Sequence, residues 1–136
     1  MIDKEIIKIA SNTENHGMLN DHTHSSKLKN AICGDEMKIY LIVKNDKITD
    51  FRYECESCIY CQASVSLLSR SAKNKSIEKV KNFAKQAKNC FEKSTKSFDK
   101  EWKEFDKIMT KNNISRKECL LLPINTTLDA LNKKSL

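Results

Sequence analysis

The apolar positions of this chain change period along its length, and each change marks an element. Ile2, Ile6 and Ile9 recur at helical spacing with Lys4, Glu5 and Lys8 between them, which predicts an amphipathic helix ending before Gly17. Polar Asn12 to Asp21 then reads as a loop leading into a first strand near Ser25 to Ile32. Met37, Ile39, Leu41 and Val43 alternate with Lys38, Tyr40, Ile42 and Lys44, the period of a strand with one buried face. Asn45-Asp46 supplies a turn, and Phe51, Tyr53 and Cys55 alternate with Arg52 and Glu54 on the returning strand of an antiparallel hairpin. Ile48 breaks that alternation.

Beyond Cys58 the period becomes helical again. Cys61, Val65, Leu68 and Ala72 form one stripe, with small Ala63, Ser64 and Ser66 beside it, so Cys58 stands at a helix start. Ser76 is placed to cap a helix carrying Ile77, Val80, Ala84, Ala87 and Phe91, and Phe98, Trp102, Phe105 and Met109 form a further stripe. Lys111 to Ile114 reads as a linker, and Ser115-x-x-Glu118 matches a capping box opening a final helix with Leu120, Ile124, Leu128 and Leu131 inward. Pro123 should remove the bond to the Cys119 carbonyl and kink that helix. The order is helix, three strands, four helices: an α+β fold, read as one domain over residues 1–136.

Composition narrows the class. With 39% apolar and 32% charged residues, and no apolar run of bilayer length, the 136-residue chain reads as a soluble, cytoplasmic protein without membrane contact. Met1 to Asn15 lacks the basic start and apolar middle of a signal peptide, so the six cysteines are expected as reduced thiols. The net charge of +7 lies mostly in Lys73 to Lys111, where lysines interleave with acids as on solvated helix faces. No aromatic interleaving of an RNA-binding motif accompanies them, and nucleic acid is not the expected partner.

The candidate chemistry begins at Cys33-Gly34-Asp35, where a turn can aim a sulfur and an oxygen at one metal ion. Cys58 and Cys119 offer two further thiols, each near the positive end of a predicted helix, which favours the metal-binding thiolate. His16, His22 and His24 lack helical or finger spacing and read as surface residues. Cys55-x-x-Cys58-x-x-Cys61 is open to two readings: a redox or cluster motif, or Cys61 packed on a helix face with Cys55 in a strand. Cys90 fits no ligand pattern.

Cys33-Gly-Asp35, Tyr53-x-x-x-x-Cys58-x-x-x-x-Ala63-Ser64-x-Ser66 and Arg116-x-x-Cys119-x-x-Leu122 resemble, in order, the ligand blocks of the NifU/IscU/SufU family of iron-sulfur cluster assembly proteins. Asn15-His-Gly17-Met-Leu19-Asn-Asp21 is similar to that family's amino-terminal loop. The resemblance implies a three-stranded antiparallel sheet with helices packed on one face. It also implies metal-ligand roles for Cys33, Asp35, Cys58 and Cys119, with Cys33 the acceptor of persulfide sulfur from a cysteine desulfurase. Sulfur or a nascent cluster would pass to downstream assembly or acceptor proteins, the chain being a carrier or scaffold rather than an enzyme in the ordinary sense, with a zinc-dependent sulfurtransferase-like activity left open. The implied occupant is zinc, alternatively iron or a transient iron-sulfur cluster.

Glu118 stands where the IscU-like branch has a histidine, and Asn112-Asn-Ile-Ser115 stands where that branch has Leu-Pro-Pro-Val-Lys. Arg116-x-x-Cys119 and an inserted segment from Lys93 to Asn113 resemble the SufU-like branch instead. The family's Gly-x-Gly-Cys is Cys55-Glu-Ser-Cys58 here, and its Ile-Ser is Tyr60-Cys61. Two other functions compete: a structural-zinc binding module, and a thiol oxidoreductase using Cys55, Cys58 and Cys61.

Overall fold

A computed structural model describes residues 3–91 and 98–133. Ile2 of the first apolar stripe and residues 93–97 of the inserted segment lie outside the described residues. Helix α1 (Lys4–Ala10) starts at Asp3, whose carboxylate accepts the Glu5 N–H at 3.0 Å, and buries Ile6, Ile9 and Ala10 against the next helix in the chain.

Three antiparallel strands follow in the order β1 (His24–Lys29), β2 (Glu36–Lys44) and β3 (Lys47–Glu56). The first strand stops at Lys29, short of the expected Ile32, because Asn30 to Gly34 form a turn. At the β2–β3 hairpin Asn45 and Asp46 both have positive φ, 52° and 63°, as a two-residue hairpin turn requires. Ile42 pairs with Asp50 but Val43 pairs with Ile48, which leaves Thr49 bulged out of the ladder. The bulge is why Ile48 breaks the alternation and is nevertheless fully buried.

Met37, Ile39, Leu41, Phe51 and Tyr53 are buried in the core beneath α2 (Ile59–Ser71) and α4 (Lys117–Asn132). Tyr40, expected on the wet face of β2, is buried as well. His22 packs on its ring at 5.3 Å, and its hydroxyl donates to Glu54 at 2.5 Å. The free edge of β3 is covered by the Asn15–Gly17 loop, since Gly17 donates to the Tyr53 carbonyl at 2.8 Å and Tyr53 to the Asn15 carbonyl at 3.2 Å. Asn15 is itself held by Ser69 and Lys73.

Helix α2 is the central element, and its small residues suit that position. Ser64 donates to the Leu120 carbonyl at 2.6 Å and Ser66 to the Asn12 carbonyl at 2.7 Å, so each hydroxyl is satisfied while the neighbouring backbones approach closely. Ser76 caps α3 (Ile77–Cys90) by accepting the Lys79 N–H at 3.1 Å. Val80, Phe83, Ala84 and Ala87 are buried there, whereas Ile77 is only half-buried.

Three expectations for the last third are corrected. Phe98, Trp102, Phe105 and Met109 are buried as expected, but Lys100–Lys107 is a 3₁₀ helix rather than an α-helix. Trp102, Phe105 and Ile108, all buried, recur every three residues, the repeat of that tighter helix. The expected linker at Lys111 to Ile114 belongs to a second 3₁₀ segment, Lys111–Arg116, which runs directly into α4. Ser115 is therefore already helical, and the capping box does not form. Arg116 occupies the cap position without a side-chain cap bond. Along α4, Leu120, Ile124 and Leu131 are buried and Leu128 is half-buried, while Pro123 is accommodated inside the helix. Among the described residues no helix is long and apolar enough to cross a membrane.

Candidate metal centre

The turn after β1 is tied at both ends by Asn30. Its N–H donates to the Asp35 carbonyl at 2.8 Å, its carbonyl accepts the Gly34 N–H at 2.8 Å, and its side-chain oxygen accepts the Ile32 N–H at 3.0 Å. Gly34 has φ +73°, a conformation that penalises any residue with a Cβ, although the space around it is open. This geometry exposes Cys33 and leaves the neighbouring Ile32 84% exposed, while Asp35 turns inward to 5%.

The sulfur of Cys33 lies 3.3 Å from the Asp35 Oδ2 and 3.1 Å from the Cys119 Sγ. One donor atom from each of Cys33, Asp35 and Cys119 falls within 4.8 Å of the other two. Cys119, 4% exposed, stands in the first turn of α4, as expected. Cys58 occupies the cap position of α2, also as expected, and its N–H donates to the Asp35 Oδ1 at 3.0 Å. Its thiol reaches Cys119 but lies outside the three-residue group.

Burial pushes the Cys119 thiol far above its ordinary range, and hydrogen bonds with Cys33 and Cys58 add to the effect. Crowding of thiols and a carboxylate disfavours a thiolate there unless a cation neutralises it. The donor set, thiol sulfurs with one carboxylate oxygen, fits a tetrahedral divalent ion such as zinc.

Two contacts were not anticipated from the sequence. Asn30 donates its side-chain N–H to the Cys33 sulfur at 2.9 Å, and the signal for it was an asparagine opening a glycine turn. Arg116 lies with its guanidinium 5.2 Å from the Tyr60 ring centre, beside the start of α2. The remaining thiols fall outside the group. Cys61 is fully buried and Cys55 half-buried, and burial raises the pKa of both. Cys90, on α3, donates to the Ala87 carbonyl at 3.0 Å. The histidines are also engaged elsewhere: His16 meets Tyr53 edge-on, His22 contacts the Leu19 carbonyl and His24 contacts Thr23.

The NifU-like N terminal domain family matches residues 1–97. This chain belongs to that family. The NifU-like chain is 28% identical over 135 residues to the iron-sulfur cluster assembly scaffold protein IscU of Thermotoga maritima, covering 99% of this chain and 95% of that protein. It is 31% identical over 74 residues to the zinc-dependent sulfurtransferase SufU of Bacillus subtilis, covering 54% and 50%. Among solved structures, an iron-sulfur cluster assembly scaffold protein for the SUF system from Fervidobacterium Islandicum superposes with a TM-score of 0.85 at 27% identity, covering 96% of both chains. A NifU-like amino-terminal protein from Brucella abortus, at 19% identity and TM-score 0.88 over 95% of this chain and 90% of that one, shares the fold. The NifU-like chain is thus homologous to iron-sulfur cluster assembly scaffold proteins.

Proposed function

We propose that this chain accepts sulfur for iron-sulfur cluster assembly at Cys33, within a zinc site whose ligands are Cys33, Asp35, Cys58 and Cys119. The observation that carries the reading is the convergence of Cys33, Asp35 and Cys119 around one point, with Cys33 alone exposed. A structural-zinc module would bury all its donors, and an exposed Cys33 disfavours that alternative. An oxidoreductase on Cys55, Cys58 and Cys61 is disfavoured by the complete burial of Cys61.

The sulfur donor is a cysteine desulfurase carrying a persulfide. The Cys33 thiolate attacks the terminal sulfur of that persulfide, the donor's S–S bond breaks, and the donor cysteine leaves as its thiolate. Asn30 steadies the Cys33 sulfur through its side-chain N–H. A zinc ion held by these residues would stabilise the thiolates, and the carboxylate of Asp35, a harder donor than its thiolate companions, would be the one most readily displaced. Sulfur or a nascent cluster then passes to an acceptor protein. Arg116-x-x-Cys119, with Glu118 where the IscU-like branch has a histidine, supports the SufU-like branch in this reading.

Elemental analysis and absorption spectra of protein purified without oxygen test the occupant. One zinc per chain without visible absorption supports the proposal, whereas a brown cluster as the stable occupant overturns the zinc assignment. Incubation with a desulfurase and cysteine, followed by mass spectrometry, tests the acceptor: the added sulfur is expected on Cys33.

A further inference from the structure

Cys33 and Cys119 are separated by 86 positions in the chain, yet their sulfurs lie 3.1 Å apart. A disulfide needs about 2.05 Å, so the remaining closure is roughly one ångström. The two residues differ in a way that orders an oxidation. Cys33 is exposed on a turn with open space around Gly34, and Cys119 is buried behind it. An oxidant from solvent therefore meets Cys33 first and leaves Cys119 in place to react second. Cys61 is fully buried, and the Cys90 sulfur is held to a carbonyl of its own helix.

We infer that Cys33 and Cys119 form a hydroperoxide-reactive dithiol whose disulfide closes the site until a dithiol reductant reopens it. Hydrogen peroxide transfers one oxygen to the Cys33 thiolate, giving a sulfenic acid and hydroxide. The Cys119 thiol then attacks that sulfur, the S–O bond breaks, and water leaves as the disulfide forms. Two thiols are oxidised by two electrons in all, and peroxide is reduced to water. A dithiol reverses the step by exchange through a mixed disulfide. The disulfide itself follows from the geometry, while its effect on sulfur acceptance rests on the function proposed above.

The test uses the full chain, stripped of metal by a chelator under reductant and checked for folding by circular dichroism. One equivalent of hydrogen peroxide is expected to lower the titratable thiols from six to four and yield a Cys33–Cys119 cross-linked peptide. Dithiothreitol should restore all six. In Cys119→Ser the sulfenic acid on Cys33 should persist and be trapped by dimedone. Cys33→Ser, a milder change at an exposed position, should keep its remaining thiols. Cross-linking of Cys58 or Cys90 in place of this pair, or a lasting dimedone adduct on Cys33 in the unsubstituted chain, would overturn the inference. Zinc loading before peroxide separates the two readings: protection supports both. A cross-link that forms equally fast with zinc present overturns the metal assignment and leaves the dithiol standing.

Discussion

The carboxylate of Asp35 accepts the backbone N–H of Cys58 at 3.0 Å, so a residue on the β1–β2 turn fastens the cap position of α2. One oxygen is committed to that bond and the other lies 3.3 Å from the Cys33 sulfur. Asp35→Ala removes both contacts. It is expected to lower stability by about 1.5–3 kcal/mol, the range for a hydrogen bond to a charged group, in chemical denaturation of the metal-free chain. Asp35→Asn, which keeps an acceptor oxygen, should lose less.

The same residue separates exchange from retention. Asp35→Cys makes an all-thiolate site and is expected to bind zinc more tightly but accept sulfur more slowly. Asp35→Ala should still bind metal while transfer is impaired. Competition with a chromogenic chelator and sulfur-transfer rates, measured across the three proteins, read both quantities. Unchanged transfer in both variants would remove the oxygen donor from the exchange step.

Cys33→Ser should abolish persulfide acceptance, and Cys90→Ser should leave it intact. The Cys90 sulfur is bonded to the Ala87 carbonyl, and burial pushes its pKa up to about 11, so few thiolates form there near neutral pH. Mass mapping of the added sulfur decides the matter; label found mainly on Cys90 or Cys61 contradicts the assignment.

Cys90 also predicts an alkaline loss of stability. Its thiol stays protonated in the folded chain to about pH 11, whereas the unfolded chain ionises near the ordinary value of 9.0. The unfolded state then binds fewer protons between those pH values, so stability holds below pH 9 and falls toward 11. Denaturation midpoints measured across this window should decline less steeply in Cys90→Ala, each variant being compared with its own value at pH 8.

Phe83 joins α3 to the 3₁₀ segment that follows. It stacks on Trp102 with ring centres 4.2 Å apart and planes 14° from parallel, and meets Phe105 at 4.7 Å. Phe83→Ala is expected to destabilise the chain by about 3–5 kcal/mol. Trp102, the single tryptophan, reports the change through a red-shifted emission. An unshifted spectrum would show that the segment docks without Phe83.

The strands and the α2 and α3 helices were legible in the sequence because their apolar periods are local. Met37, Ile39 and Leu41 could be read as one face without knowing what covers them. Tyr40 could not, since its burial depends on His22 from a preceding loop and on Glu54 across the hairpin. The capping box failed for a related reason: whether Ser115 begins a helix depends on what precedes it, and the 3₁₀ turn there leaves no local apolar signature. The turn joining Cys33 to Asp35 and the helix starts at Cys58 and Cys119 were legible in the sequence, while the absence of Cys58 from the three-residue group, Asn30 and the Tyr60–Arg116 stack depend on spatial neighbours.

Pro123 has a consequence for how Cys119 behaves over time. Lacking an N–H, the proline leaves the Cys119 carbonyl without its usual partner four residues on, so the opening turn of α4 is joined to the rest of the helix by one fewer rung. Beyond it, the Leu120 carbonyl gains the Ser64 hydroxyl, and the Thr126 and Thr127 hydroxyls donate to the Leu122 and Pro123 carbonyls. Amide hydrogen exchange should therefore run faster at Leu121 and Leu122 than at Ala130 and Leu131. Cys119 thus stands on the one turn of α4 whose carbonyl ladder the proline interrupts, and its position rests on the packing of Leu120 to Leu122 and on the Ser64 bond in place of that rung.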